Sequence, residues 1–160
     1  MTLPGGGAMA LDDPDLASRL GRAAGVEVAP IHLGRGTFDA MPVSLASTAG
    51  LAAVGAAHGT PLDRRRFRLN VLIESDEPDS AWWGGILAFG TGADGARVAL
   101  GEGIPRCAMI TLDPDSAARD ASVLRTVAQR FGDLVGTYGA TGRPGLIRMG
   151  DEVRLHRAAA

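Results

Sequence analysis

Phe67-Arg68-Leu69-Asn70-Val71-Leu72-Ile73-Glu74 is where the chain changes period. Phe67, Leu69, Val71 and Ile73 recur at every second position, the signature of a strand with one buried face. The stretch is expected to be the clearest strand of the chain. Arg68, Asn70 and Glu74 then share the opposite face, so the guanidinium and the amide can point at one ligand. Downstream, Ile86–Phe89, Arg97–Leu100 and Cys107–Leu112 read as further short strands, separated by glycine-rich turns such as Gly92-Ala93-Asp94-Gly95. From Gly145 to Leu155 the pattern predicts a hairpin turning at Gly150-Asp151.

Three helices flank these segments. Asp12-Asp13-Pro14 offers a cap and a first-turn proline for a helix through Leu16, Leu20, Ala23 and Ala24 that stops at Gly25. Ser47-Thr48 caps a second, with Leu51, Val54 and Ala57 on its buried face and Gly59 beyond its end. Asp120 caps a third over Val123, Leu124 and Val127. Residues 1–10 are expected to be flexible, and residues 11–36 to hold the first helix and a short strand over Val26–Ile31. Strands and helices do not alternate regularly, so a doubly wound parallel sheet is not expected. The order predicts a mostly β, α+β fold: a closed or nearly closed barrel with about three peripheral helices.

Composition narrows the functional classes. The 160 residues suffice for one ordinary domain, and 46% are hydrophobic against 21% charged, which is globular rather than disordered. Sixteen basic and 18 acidic residues leave a net charge of −2, no footprint for a nucleic-acid partner. No stretch approaches the ~20 apolar residues needed to span a bilayer. The start of the chain lacks the basic region and apolar run of a signal peptide. The single cysteine, Cys107, has no internal disulfide partner, so the expected compartment is a reducing cytoplasm.

Cys107 is the residue on which chemistry would centre. A lone cysteine near a strand is ordinarily a small buried hydrophobe. Here Arg106 stands beside it, and an adjacent cation favours the thiolate, the form that binds soft metals and attacks electrophiles. Asp113-Pro114-Asp115 turns the chain away and leaves Cys107 near a strand end. Arg68 beside Asn70 suits a phosphate or another oxyanion, with a solvated strand face as the plain alternative. Arg64, Arg65 and Arg66 read as solvated turn residues, Trp82-Trp83 as a structural lid, and Asp39 as a turn residue. His32, His58 and His156 are scattered, and no zinc-binding spacing occurs.

Taken in order, these segments resemble the MOSC domain, named for the C-terminal domain of molybdenum cofactor sulfurases. The resemblance is carried by Phe38-Asp39-Ala40-Met41-Pro42-Val43-Ser44-Leu45, Ser47-Thr48-Ala49-Gly50-Leu51, Arg66-Phe67-Arg68-Leu69-Asn70 and Trp83-Gly84-Gly85-Ile86. Its most specific part is Pro105-Arg106-Cys107 with Thr111-Leu112-Asp113-Pro114-Asp115, followed by Asp120 to Leu124 and Gly145 to Leu155. It implies that residues 37–157 form a MOSC-type β-barrel with a site for the molybdenum cofactor (molybdopterin). By that resemblance Cys107 is the catalytic residue and the sulfur ligand to the metal, and Asp39, Ser47, Arg68, Asn70 and Arg106 bind the cofactor.

The implied activity is that of an oxidoreductase, similar to the amidoxime-reducing proteins. It would act on N-hydroxylated or similar small substrates, with a separate redox protein as electron donor. Two departures stand out. Leu69 replaces the proline of the family's Arg-Phe-Arg-Pro-Asn segment, and the N-terminal β-barrel segment with a Tyr-Pro-Val-Lys-Ser-like motif is missing, so a separate chain is a candidate to supply it. The alternatives are a sulfur carrier using a Cys107 persulfide and a truncated barrel without activity.

Overall fold

A computed structural model describes residues 7–31, 40–92 and 95–157. The chain divides into two compact units, residues 1–37 and 38–160. In the first, helix α1 (Leu16–Ala24) ends at Gly25, which takes the left-handed conformation at φ 69° and donates its N–H to the Gly21 carbonyl. Asp13 rather than Asp12 organises the entry, its carboxylate accepting the Asp15 N–H at 2.9 Å. The strand expected over Val26–Ile31 does not form. An isolated extended segment gains nothing without a neighbour to pair with.

The second unit is a six-stranded mixed sheet curled into a half-barrel. Its strands are β1 (Val43–Ser47), β2 (Val71–Ile73), β3 (Ile86–Phe89), β4 (Arg97–Pro105), β5 (Leu134–Arg143) and β6 (Val153–His156). They lie in the order β2-β1-β5-β4-β3-β6. Helix α2 (Thr48–His58) is the crossover that makes β1 and β2 parallel, and every other pairing is antiparallel. Helix α3 (Ala121–Phe131) completes the set of three, and the expected mostly β, α+β class is the one that forms.

Both inner helices begin where the sequence signals them. Ser47 Oγ accepts the Gly50 N–H at 2.8 Å to start α2, and Asp120 Oδ1 accepts the Ser122 N–H at 2.9 Å to start α3. Ala57, however, faces solvent, and Val54 and Gly55 carry the buried face of α2.

Two apolar clusters hold the unit. Leu45, Ile73, Trp82, Leu87, Phe89 and Val98 form one, and Val54, Phe67, Ile110, Val123, Val127 and Val135 form the other. Each fully buried side chain of this size contributes roughly 1.5–3 kcal/mol.

Three further strand expectations need correction. The run from Phe67 buries Phe67 and Ile73 and exposes Arg68, Asn70 and Glu74 as expected, yet only Val71–Ile73 is strand. Arg64–Phe67 winds into a 3₁₀ turn and Arg68 caps it in the left-handed region at φ 50°. Cys107–Leu112 is likewise a 3₁₀ turn over Ala108–Thr111, with Cys107 as its N-cap. At the end of the chain the turn at Gly150 forms, but β6 pairs with β3 instead of folding back on residues 145–148.

The longest strand, β5, lies centrally between β1 and β4. Bulges between Leu100 and Gly103 and between Gly103 and Pro105 bend β4 against it. The Thr137 hydroxyl reaches the bulged carbonyls of Gly101 at 3.2 Å and Glu102 at 3.1 Å.

Candidate functional site

The half-barrel is open between its edge strands, and the opening is a cleft of about 1340 Å³ lined by both β2 and β6. Ile73, Trp82, Leu87 and Phe89, all from the sheet core, line its depth, while Val71, Val153 and Leu155 line its walls. Polar groups gather at the rim.

The 3₁₀ turn advances by three residues per revolution and so sends its arginines in different directions. Arg64 lines the cleft. Arg65 also reaches it, clamped between Asp63 and Asp115 with N···O distances of 2.6 Å to each. Its guanidinium holds both carboxyls below the usual carboxylate range. Arg66 turns inward to the Thr111 carbonyl and Asp113, both at 3.2 Å, so this arginine is packed rather than solvated as expected.

Arg68 and Asn70 both line the cleft, although the left-handed turn, not a shared strand face, brings them there. Asn70 Oδ1 accepts from the Ser44 N–H at 2.9 Å and from Ser44 Oγ at 3.0 Å, which fixes the amide against β1. Its Nδ2 has no partner among the described residues. Arg64, Arg68 and Arg148 likewise have guanidinium groups with no partner among the described residues. Arg148 was not singled out in the sequence, because residues 145–155 read as a hairpin.

The other expected site residues are placed differently. Ser47 is fully buried and spends its hydroxyl on capping α2 and on Asp79 Oδ1 at 3.4 Å. Asp79 is itself buried, and a side chain at Gly50 would fall on its carboxylate. Asp39 lies outside the described residues, as does His32.

Arg106 points into the interior. Its Nε and Nη2 donate to the Val135 carbonyl at 2.8 and 2.6 Å, its Nη1 donates to the Phe67 carbonyl at 2.9 Å, and the guanidinium sits 5.6 Å from the Phe67 ring centre. Burial pushes the group down to about 10, opposed by Tyr138, Asp79 and Cys107, so it stays cationic at neutral pH. Cys107 is exposed, two residues past the end of β4, and is not part of the cleft wall. The bond from Arg106 to the Phe67 carbonyl ties the residue before Cys107 to the residue before Arg68.

Away from the cleft, His58 meets Thr126 Oγ1 at 3.4 Å and Asp120 at 3.8 Å, a contact between α2 and the α3 cap. Among the described residues no group of three His, Cys, Asp or Glu side chains could by itself hold a metal ion. No helix of the described residues is long and apolar enough to cross a membrane.

Residues 29–154 match the model of the MOSC domain. The chain belongs to the MOSC domain family. Its fold is similar to the crystal structure of the YUAD protein from Bacillus subtilis, with a TM-score of 0.58 and 20% identity. That similarity covers 77% of this MOSC chain and 68% of the other. No curated protein matches the chain.

Proposed function

We propose that this MOSC domain binds the molybdenum cofactor and acts as an oxidoreductase on N-hydroxylated or similar small substrates. One observation carries the reading: an apolar-floored cleft lined by Arg64, Arg68 and Asn70, whose guanidiniums and amide N–H donors have no partner among the described residues. Guanidinium forks are suited to a phosphate, and Trp82 and Phe89 in the cleft suit a flat ring system. The donor chemistry therefore fits a pterin that carries a phosphate.

Cys107, exposed and outside the cleft wall, would supply the thiolate, the softest protein donor, to the metal. Arg106 keeps a buried positive charge one residue away and holds the loop in place. When bound, the cofactor supplies two-electron chemistry at molybdenum, and the exposed setting of Cys107 leaves that side open to substrate and to a separate electron-donor protein.

Metal and pterin analysis of protein from a cofactor-competent host tests this. Wild type is expected to carry molybdenum and pterin, and both Cys107→Ala and Arg68→Ala to lose them. Wild-type protein without either overturns the reading.

The position of Cys107, exposed and off the cleft wall, favours a second reading, a sulfur carrier with a Cys107 persulfide. A cyanide-removable sulfur adduct on that thiol after incubation with a cysteine desulfurase is its expected signature, and an unmodified thiol rules it out.

A further inference from the structure

One arginine of the cleft is held by two carboxylates, and the two hold it differently. Arg65 lines the cleft together with Arg64 and Arg68, its neighbours on the 3₁₀ turn and its cap. Its Nε and Nη2 donate to Asp63 Oδ2 at 2.9 and 2.6 Å. Its Nη1 and Nη2 donate to Asp115 Oδ1 and Oδ2 at 2.9 and 2.6 Å. The guanidinium is thus fully engaged, while those of Arg64 and Arg68 have no partner among the described residues.

Asp63 is built into the turn. It caps the turn by accepting the Arg65 N–H at 2.8 Å, and its side chain is 34% exposed. Asp115 arrives from fifty residues away, and its side chain is 74% exposed. Among the described residues its carboxylate bonds to Arg65 alone, and it is not one of the residues that line the cleft. Asp113 and Asp63 oppose its negative charge. An exposed ion pair biases an equilibrium by roughly fivefold at most, so Asp115 is the replaceable partner. A phosphate brings more charge and more acceptor oxygens than a carboxylate, and the planar fork of a guanidinium takes either.

Letting go of Asp115 would leave the root of its loop in place. Arg106 still donates to the Phe67 carbonyl, and Arg66 still meets the Thr111 carbonyl and Asp113. Only the tip is freed, where Asp113 Oδ1 holds the Asp115 and Ser116 N–H groups and Ala117 takes a left-handed φ of 58°.

We propose that Asp115 is an internal competitor for Arg65, displaced when a phosphate-bearing ligand enters the cleft. Arg65 then joins Arg64 and Arg68 as a third guanidinium on the phosphate, and the loop tip after Cys107 is released. The inference rests on the reading of the cleft as a phosphate site and adds to it a residue and an exchange of partners.

The probe is inorganic pyrophosphate, titrated calorimetrically into the full chain near neutral pH, with thermal melts to check that each variant is folded. Wild type is expected to bind it, Asp115→Asn to bind it about fivefold more tightly, and Arg65→Gln more weakly than wild type. In the Arg65→Gln background Asp115→Asn should gain no more than about twofold. Saturating pyrophosphate should also speed amide exchange at Ser116 and Ala117 of wild type, to the rate that Arg65→Gln shows without it. Equal gains from Asp115→Asn in both backgrounds overturn the proposal, since the acid then acts by general repulsion. Exchange at Ser116 and Ala117 that pyrophosphate leaves unaltered overturns it as well. Pyrophosphate bound by wild type with no gain in Asp115→Asn overturns it and leaves the phosphate site standing. Binding by neither removes the phosphate site itself, and the proposal with it.

Discussion

Arg106 donates from Nη1 to the Phe67 carbonyl at 2.9 Å, and through that bond the chain beside Cys107 is fastened to the chain beside Arg68. The same guanidinium takes the Val135 carbonyl with Nε and Nη2, so three separate segments meet at one buried cation. Gly136, at φ 78°, makes room for it, since a Cβ there would approach Arg106 Nη2 at 3.0 Å and the Leu45 carbonyl at 2.8 Å.

Arg106→Ala should cost about 3 kcal/mol in urea unfolding, because it leaves two buried carbonyls unpaired and a cavity against Phe67. Arg106→Lys should cost less, about 1–2 kcal/mol, since a single ammonium cannot reproduce the fork. Equal stability for Arg106→Ala and wild type would show that the junction carries no energy.

Arg68→Gly separates structure from ligand binding. Arg68 holds a positive φ of 50° that glycine adopts freely, so this variant should keep stability within about 1 kcal/mol of wild type. It should nevertheless bind molybdopterin more weakly, and a titration followed by fluorescence with parallel thermal melts checks both.

Cys107→Ala removes an exposed thiol, so unfolding free energy should change by no more than about 0.5 kcal/mol. The bound molybdenum measured by elemental analysis should fall to background. A large loss of stability instead would assign the cysteine a packing role.

Acid should weaken the loop after Cys107. Asp113 accepts from the Ser116 N–H at 3.0 Å, Ser116 Oγ at 2.9 Å and the Asp115 N–H at 3.2 Å, and these bonds hold its carboxyl below the usual 3.8. A carboxyl lowered on folding stabilises the protein above its unfolded value, and that contribution is lost as pH falls through the folded one. The stability of wild type is therefore expected to drop below about pH 4. Asp113→Asn should be less stable near neutrality and show a shallower drop, as measured by denaturant midpoints across that range.

What the sequence disclosed and what it hid divide along physical lines. Helix ends were legible because capping is local: Ser47, Asp120, Gly25 and Gly59 act within a few residues of themselves. The alternation from Phe67 to Glu74 forecast burial correctly, yet a 3₁₀ turn and a left-handed residue produce the same in-and-out pattern as a strand, so the element was misread. β5 went unnoticed because Gly136, Gly139 and Gly142 interrupt its apolar residues, and only close packing explains them. At the candidate site, Arg68 and Asn70 stood out by their two-residue spacing and by the MOSC resemblance, and both line the cleft. The inward turn of Arg106 and the arrival of Arg148 depend on contacts with distant segments that no local pattern encodes.

The sheet order has a consequence for synthesis. Residues 134–143 fill the slot between strands 43–47 and 97–105, yet they come after both in the chain. Until they leave the ribosome, the parallel pair formed by residues 43–47 and 71–73 and the ribbon formed by residues 86–89 and 97–105 have no strand joining them, and each keeps a bare flank. Contacts this distant in sequence form slowly and leave partly folded chains open to association. The nascent protein is therefore most vulnerable in the interval before its central strand arrives, and a host that shields emerging chains in that interval should yield more folded product.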